Sequence, residues 1–158
     1  MKYRRLTLEE LEIFEKEFIL FLSANGITGE DWEKKKQAQD PMVNLMLDEF
    51  SDFILDGVLQ NVEYIDHRSP AFLACFNIKE NFGEAIIVQR SSTAFEDISD
   101  IKVLMDLIQN RPQELQINLA TKVLGSQEER NKFIFDELSK GAMISNAELF
   151  DLLKPLTQ

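Results

Sequence analysis

Val62–Arg90 reads VEYIDHRSPAFLACFNIKENFGEAIIVQR, and the fold turns on where its three strand-like runs, VEYIDHR, AFLACFNI and EAIIVQR, are placed. In the middle run Phe72, Ala74, Phe76 and Ile78 occupy one face of an extended chain and Ala71, Leu73, Cys75 and Asn77 the other. Both faces are mostly apolar. Such a strand is covered on both sides and lies inside its sheet, whereas apolar–polar alternation marks a strand with one wet face. Ala85–Val88 repeats the continuous apolar pattern. Lys79–Gly83 is short and carries Asn81 and Gly83, residues suited to positive φ, which predicts a hairpin. Ser69 and Pro70 break the first run from the second. The expectation is an antiparallel three-stranded meander in which Val62–Arg68, the most polar run, is edge-like and least buried.

The flanks read mainly as helix. Thr7 and Glu10 form a capping box, Leu6 and Leu11 stand at the positions of a hydrophobic staple, and Leu11, Phe14, Phe18, Phe21 and Leu22 recur at helical spacing up to Gly26. Thr28 with Asp31 starts a short helix holding Trp32 and Lys34, Lys35 and Lys36. Asp40–Pro41 then opens a long helix. Its apolar stripe is Val43, Met46, Leu47, Phe50, Phe53, Ile54 and Val58, with Asp48, Asp52 and Asp56 aligned on the other side. Beyond the meander, Thr93 and Glu96 predict another capped helix, stepping through Phe95, Ile98, Ile101, Met105 and Ile108.

Leu115, Ile117, Leu119, Thr121 and Val123 alternate with Gln116, Asn118, Ala120 and Lys122, the period of a strand, although Pro112 and Gly125 could also bound a helix. The connection from Arg90 to Leu115 is long enough for a right-handed crossover, which would set this strand parallel to the third. Ser126 with Glu129 and Ser145 with Glu148 mark two final helices. The sequence therefore predicts one α+β domain over residues 1–158, with a helical part at 7–60 and a sheet-containing part at 61–158. In it a small mixed four-stranded sheet, a meander plus one crossover strand, is packed with about six helices.

Composition narrows the function classes. A chain of 158 residues buries about 70% of its unfolded surface. Its net charge of −11 argues against binding duplex nucleic acid, which rests on cationic contacts to phosphate. The tight basic cluster Lys34–Lys36 reads as a solvated helix face. No apolar run is long enough for a membrane span and the start carries no signal-peptide core, so the expected location is cytoplasmic and no membrane partner is expected. One cysteine, Cys75, cannot form an internal disulfide; mid-strand it reads as a buried, chemically quiet thiol.

The opening YRRLT, the run EFILFLSANGIT over Glu17–Thr28 with Asp31 and Trp32, FSD at Phe50–Asp52, VEY at Val62–Tyr64 with His67, and GAMIS followed by Glu148, Leu149 and Phe150 span nearly the whole chain. Together they resemble a family of small uncharacterised bacterial proteins classed as a domain of unknown function. The resemblance carries no reaction, cofactor or catalytic residue with it, and it suggests that Leu115–Val123 is a strand. Where similar proteins read ISDGEL, this chain has Asn146 and Ala147 after Ser145, which keeps a cap but removes the glycine.

No phosphate loop, paired-cysteine zinc site or nucleophile elbow is present. The residues that stand out are Trp32, set among charges, and Tyr64, Asp66, His67 and Arg68, which join an aromatic ring, both charge signs and the chain's one imidazole. They form a candidate interaction surface. Neighbouring strand residues point to opposite faces, so Asp66 is badly placed to orient His67 as a base, and Glu63 shares His67's face about 13 Å away. The acidic line on the long helix reads as solvated. The expected function is a small cytoplasmic protein-interaction or regulatory domain without catalysis, cofactor or metal, taking an unknown protein partner and open to homodimerisation. The alternative is a hydrolase or metal-dependent enzyme with its site near Asp66 and His67.

Overall fold

The computed structural model describes residues 1–157 and divides into two units, Met1–Val58 and Leu59–Gln158. The first unit is helical. Helices α1 (Leu8–Ile13) and α2 (Glu15–Ala24) are separated at Phe14, where a single helix was expected. The break lets Leu11, Phe14, Phe18 and Phe21 all pack on the cluster of Leu6, Phe50 and Ile54. The box at Thr7 is formed in both directions, and Gly26, with φ of 74°, ends α2. Helix α3 (Gly29–Gln37) begins with a second capping box between Thr28 and Asp31. Helix α4 (Pro41–Gln60) starts where Asp40 accepts from the Met42 amide, and it leads the chain out of the first unit.

The second unit is an antiparallel sheet of five strands: β1 (Tyr64–Ser69), β2 (Phe72–Ile78), β3 (Phe82–Arg90), β4 (Leu115–Val123) and β5 (Met143–Ile144), in the order β4-β3-β2-β1-β5. β2 is central, as its two apolar faces predict. Four expectations are corrected. The sheet has a fifth strand, the short β5, which places β1 inside the sheet with Ile65 and Asp66 buried. Neither Asn81 nor Gly83 needs positive φ in the β2–β3 turn, which closes through the Lys79 amide and the Phe82 carbonyl.

The third correction concerns β4, which is antiparallel to β3, with Phe82 opposite Val123 and Arg90 opposite Leu115. The segment between them is a closed excursion and not a crossover. Its helix, α5 (Ile101–Asn110), is capped by Asp100 and not by Thr93, so a ten-residue loop precedes it. Thr93 and Ser91 bond the Glu114 carboxylate instead, and the Ser91 amide donates to the Glu114 carbonyl, so the excursion ends beside its start. The strand that follows must run back along β3. The fourth correction lies after α6 (Gln127–Ser139), capped by Ser126 as expected: helix α7 (Ala147–Leu153) is capped by Asn146, leaving the Ser145 hydroxyl buried without a partner. The described residues thus form seven α-helices, one more than expected because the first is split.

On one face of the sheet Leu73, Cys75, Ile86 and Val88 pack against Ile98, Leu104 and Leu107 and against Leu149, Phe150 and Leu153 of α7. At about 25 cal/mol per Å² of apolar surface removed from water, such burial drives folding of this unit. The opposite face carries Phe76, in ring contact with Phe133 of α6 at 5.8 Å.

Candidate functional site

Strand β1 sets out the polar residues that the sequence singles out, and it divides them between the two faces of the sheet. Tyr64, Asp66 and Arg68 share the face of the apolar core. Asp66 is 4% exposed, opposite Cys75 in the register, and its Oδ2 accepts from Nε and Nη2 of Arg68 at 3.2 and 2.8 Å. The carboxylate therefore already holds its cation. The Tyr64 ring meets Phe150 at 6.0 Å. Burial, reinforced by the neighbouring Asp66 charge, pushes the Cys75 thiol up to about 12, which leaves no reactive thiolate near neutrality.

His67 lies on the other face. Its Nε2 is 2.8 Å from Oε2 of Glu137 on α6; a carboxylate only accepts, so Nε2 carries the proton in this contact. The ring also meets Phe76 at 6.1 Å, and Lys140 stands 3.4 Å from the second oxygen of Glu137. Asp66 and His67 are thus held by separate partners, Arg68 and Glu137, and do not converge. Trp32 belongs to the first unit, where it is 8% exposed, edge-on to Phe18 at 5.2 Å and packed with Leu22, Ile27 and Met46. Of these five residues Arg68 is exposed, Tyr64 and His67 are half-buried, and Trp32 and Asp66 are buried.

The residue that organises this end of the sheet escaped the sequence reading. Arg130, on the first turns of α6, is 4% exposed and makes no contact with a carboxylate. Its Nε donates to the Lys79 carbonyl at 3.0 Å, Nη1 to the Leu59 carbonyl at 3.1 Å and to Oδ1 of Asn131 at 3.3 Å, and Nη2 to the carbonyls of Val62 and, at 3.3 Å, Ile78. One guanidinium thereby joins the last turn of α4, the entry to β1 and the end of β2 to α6, and at the C-terminus of α4 it shares the Leu59 carbonyl with the Val62 amide. Burial pulls its pKa below the ordinary value, and nearby Glu63 opposes that shift. An arginine in the run EERNKF reads as surface in sequence, and nothing in its spacing distinguishes it.

Above Arg130 lies an open cleft of about 630 Å³ lined by Glu63, Tyr64, Asn77, Lys79 and Glu80 among others. All five N–H donors of the guanidinium point into main-chain or amide oxygens, so none remains to grip an anion in the cleft.

With this geometry in hand, comparison with known proteins adds one finding. The model of the Family of unknown function (DUF6495) matches residues 1–158. The chain belongs to that family. No curated protein and no solved structure matches it. Family membership agrees with the resemblance read from YRRLT to GAMIS and assigns no catalytic or specific function.

The remaining charged cluster of this DUF6495 chain is spoken for within its first unit. The acidic line of α4, expected to be solvated, is covered by the chain's own N-terminal segment. Oδ1 of Asp48 accepts from Arg5 Nε at 2.7 Å, both Asp52 oxygens accept from the Lys2 amide at 2.9 and 2.8 Å, and Asp56 binds Lys2 Nζ at 2.9 Å and the Tyr3 hydroxyl at 2.5 Å. Among the described residues no three His, Cys, Asp or Glu side chains are grouped to hold a metal ion. No helix among them is long and apolar enough to cross a membrane.

Proposed function

We propose that this protein is a small cytoplasmic protein-interaction or regulatory domain that works without catalysis, through surface contacts of its helical unit. The observation that supports this reading is the apolar surface left in water by two short helices. Leu8 and Ile13 of α1 are both 75% exposed, and Ile19 and Leu20 of α2 are 55% and 69% exposed. Large apolar groups exposed on so short a stretch support a partner-binding reading. The opposite-face placement of Asp66 and His67 weighs against the alternative of a hydrolase or metal-dependent enzyme, because a base and its orienting carboxylate must lie within hydrogen-bond reach. A lone, buried, reduced cysteine suits a cytoplasmic setting.

The test is affinity capture from native lysate with three baits: the parent, Ile19→Glu/Leu20→Glu, and Arg68→Ala. The reading predicts a partner recovered with the parent and lost with the double variant, whose circular dichroism matches the parent's. Equal recovery by parent and double variant would refute a role for this surface; loss with Arg68→Ala alone would move the contact to β1.

A further inference from the structure

The two edges of the sheet are finished differently. β5 is two residues long, so that edge offers almost nothing to pair with. β4 is nine residues long, carries no proline, keeps unbroken register with β3 along its whole length and is exposed over most of it. Proteins guard such edges with shortness, bulges, proline or inward charges. β4 is neither short, bulged nor broken by proline, and its one charge, Lys122, lies inward over the Phe133 ring at 4.8 Å, on the α6 side of the sheet.

The direction of its free groups follows from the ladder. The Ser91 amide donates to the Glu114 carbonyl at 2.8 Å and the Leu124 amide to the Asn81 carbonyl at 2.7 Å, which fixes the even-numbered residues of β4 as those bonded to β3. Ile117, Leu119, Thr121 and Val123 therefore turn both N–H and C=O outward, with no partner among the described residues. Leu115 turns its carbonyl outward, its N–H being held by the Pro112 carbonyl.

We propose that β4 is a self-pairing edge, at which two copies of this chain join antiparallel about a two-fold axis through Leu119 and fuse their sheets into one. This goes beyond the proposed function and does not depend on the α1–α2 surface. Of the antiparallel registers that pair outward groups with outward groups, this one overlaps all nine residues. It sets Leu119 against Leu119, Ile117 against Thr121 and Leu115 against Val123, apolar or β-branched pairs of the kind that stabilise sheets. It covers Val123, 81% exposed, and Leu119, 39% exposed.

Charge favours a second copy as the occupant. Each chain carries −11, yet Leu115–Gln127 contains no acidic residue, so this edge is where two copies approach with little repulsion. In this register Lys122 stands opposite Gln116 of the second copy and diagonal to its Glu114, within reach of a long side chain, and no like charges face each other.

The experiment is sedimentation of the full chain across the micromolar to millimolar range, for the parent, Leu119→Pro and Leu119→Lys. Proline at 119 removes an outward N–H and no bond to β3, a position where an edge strand tolerates it. Lysine there would put two cations in contact on the axis. The expected result is a parent at twice 18.3 kDa and both variants at 18.3 kDa with unchanged circular dichroism. Should Leu119→Pro fail to fold, Leu119→Lys alone decides. A parent that stays at 18.3 kDa at every concentration overturns the proposal, as does a Leu119→Lys variant that remains dimeric.

Discussion

Both faces of the sheet bury apolar side chains, but one of them adds a polar clamp. Beneath β2 and β3, Leu73, Cys75, Ile86 and Val88 close on α5 and α7 by apolar burial, with ten buried side chains in one cluster. On the other face Ile65, Ala74 and Ile78 are also buried and Phe133 of α6 meets Phe76, but α6 buries Arg130 and Asn131 as well and adds polar bonds: Arg130 to four main-chain carbonyls and Glu137 to His67. Apolar contacts can be exchanged among side chains of similar volume. A fork of donors aimed at four separate main-chain carbonyls cannot.

That contrast can be broken at several points. The largest effect is expected for Arg130→Met, which fills the space but leaves four carbonyls without their donor; urea unfolding is expected to show a loss of about 4 kcal/mol, on the scale of stranded buried polar groups. A loss of less than about 1 kcal/mol, the worth of one ordinary hydrogen bond, would show that water replaces the guanidinium. On the apolar face, Leu107→Ala is expected to cost about 3 kcal/mol through a cavity at a fully enclosed site, while Leu107→Met costs little. If both cost the same, that face is more specific than apolar burial implies.

What could be read from sequence follows the same division. Apolar periodicity is visible in a one-dimensional string, so the two-sided pattern of Phe72–Ile78 located the central strand and the alternation of Leu115–Val123 matched β4 residue for residue. The direction of β4 was not legible, because period two reports which face a side chain takes and not which way the chain returned. That depended on Thr93 and Ser91 bonding Glu114, a contact between residues more than twenty positions apart. β5 is too short to show a period. The polar clamp was invisible for a further reason: Arg130 bonds backbone carbonyls, which every residue has, so no partner residue type marks it. At the candidate site, the placement of Asp66 and His67 on opposite faces followed from strand geometry, whereas the pairing of His67 with Glu137, seventy residues away, did not.

Smaller effects sharpen the comparison. Ser126→Ala removes the cap of α6, where the hydroxyl accepts from the Glu129 amide at 3.1 Å, and is expected to cost about 1 kcal/mol by thermal or urea unfolding. A loss as large as that of Arg130→Met would mean that α6 is held by its start and not by its arginine. The smallest effect is confined to alkaline pH. Cys75 is raised from 9.0 to about 12 in the folded chain, so its contribution is fully present below 9 and is lost as pH rises towards 12, where the unfolded thiol ionises and the folded one resists. Relative to Cys75→Ala, the parent should lose stability only in that window, and its thiol should react with a maleimide only as fast as the unit opens. Rapid labelling at neutral pH would contradict the buried placement.

The most direct test of the difference between the two faces is the urea-unfolding free energy of Arg130→Lys beside that of Arg130→Met. Lysine keeps the positive charge near Glu63 but offers three donors from one point in place of a planar fork of five. If the clamp is a matter of hydrogen-bond geometry, Arg130→Lys should be destabilised nearly as much as Arg130→Met. Parent-like stability in Arg130→Lys would show that charge alone suffices, and would contradict the account of how α6 is fastened to the sheet.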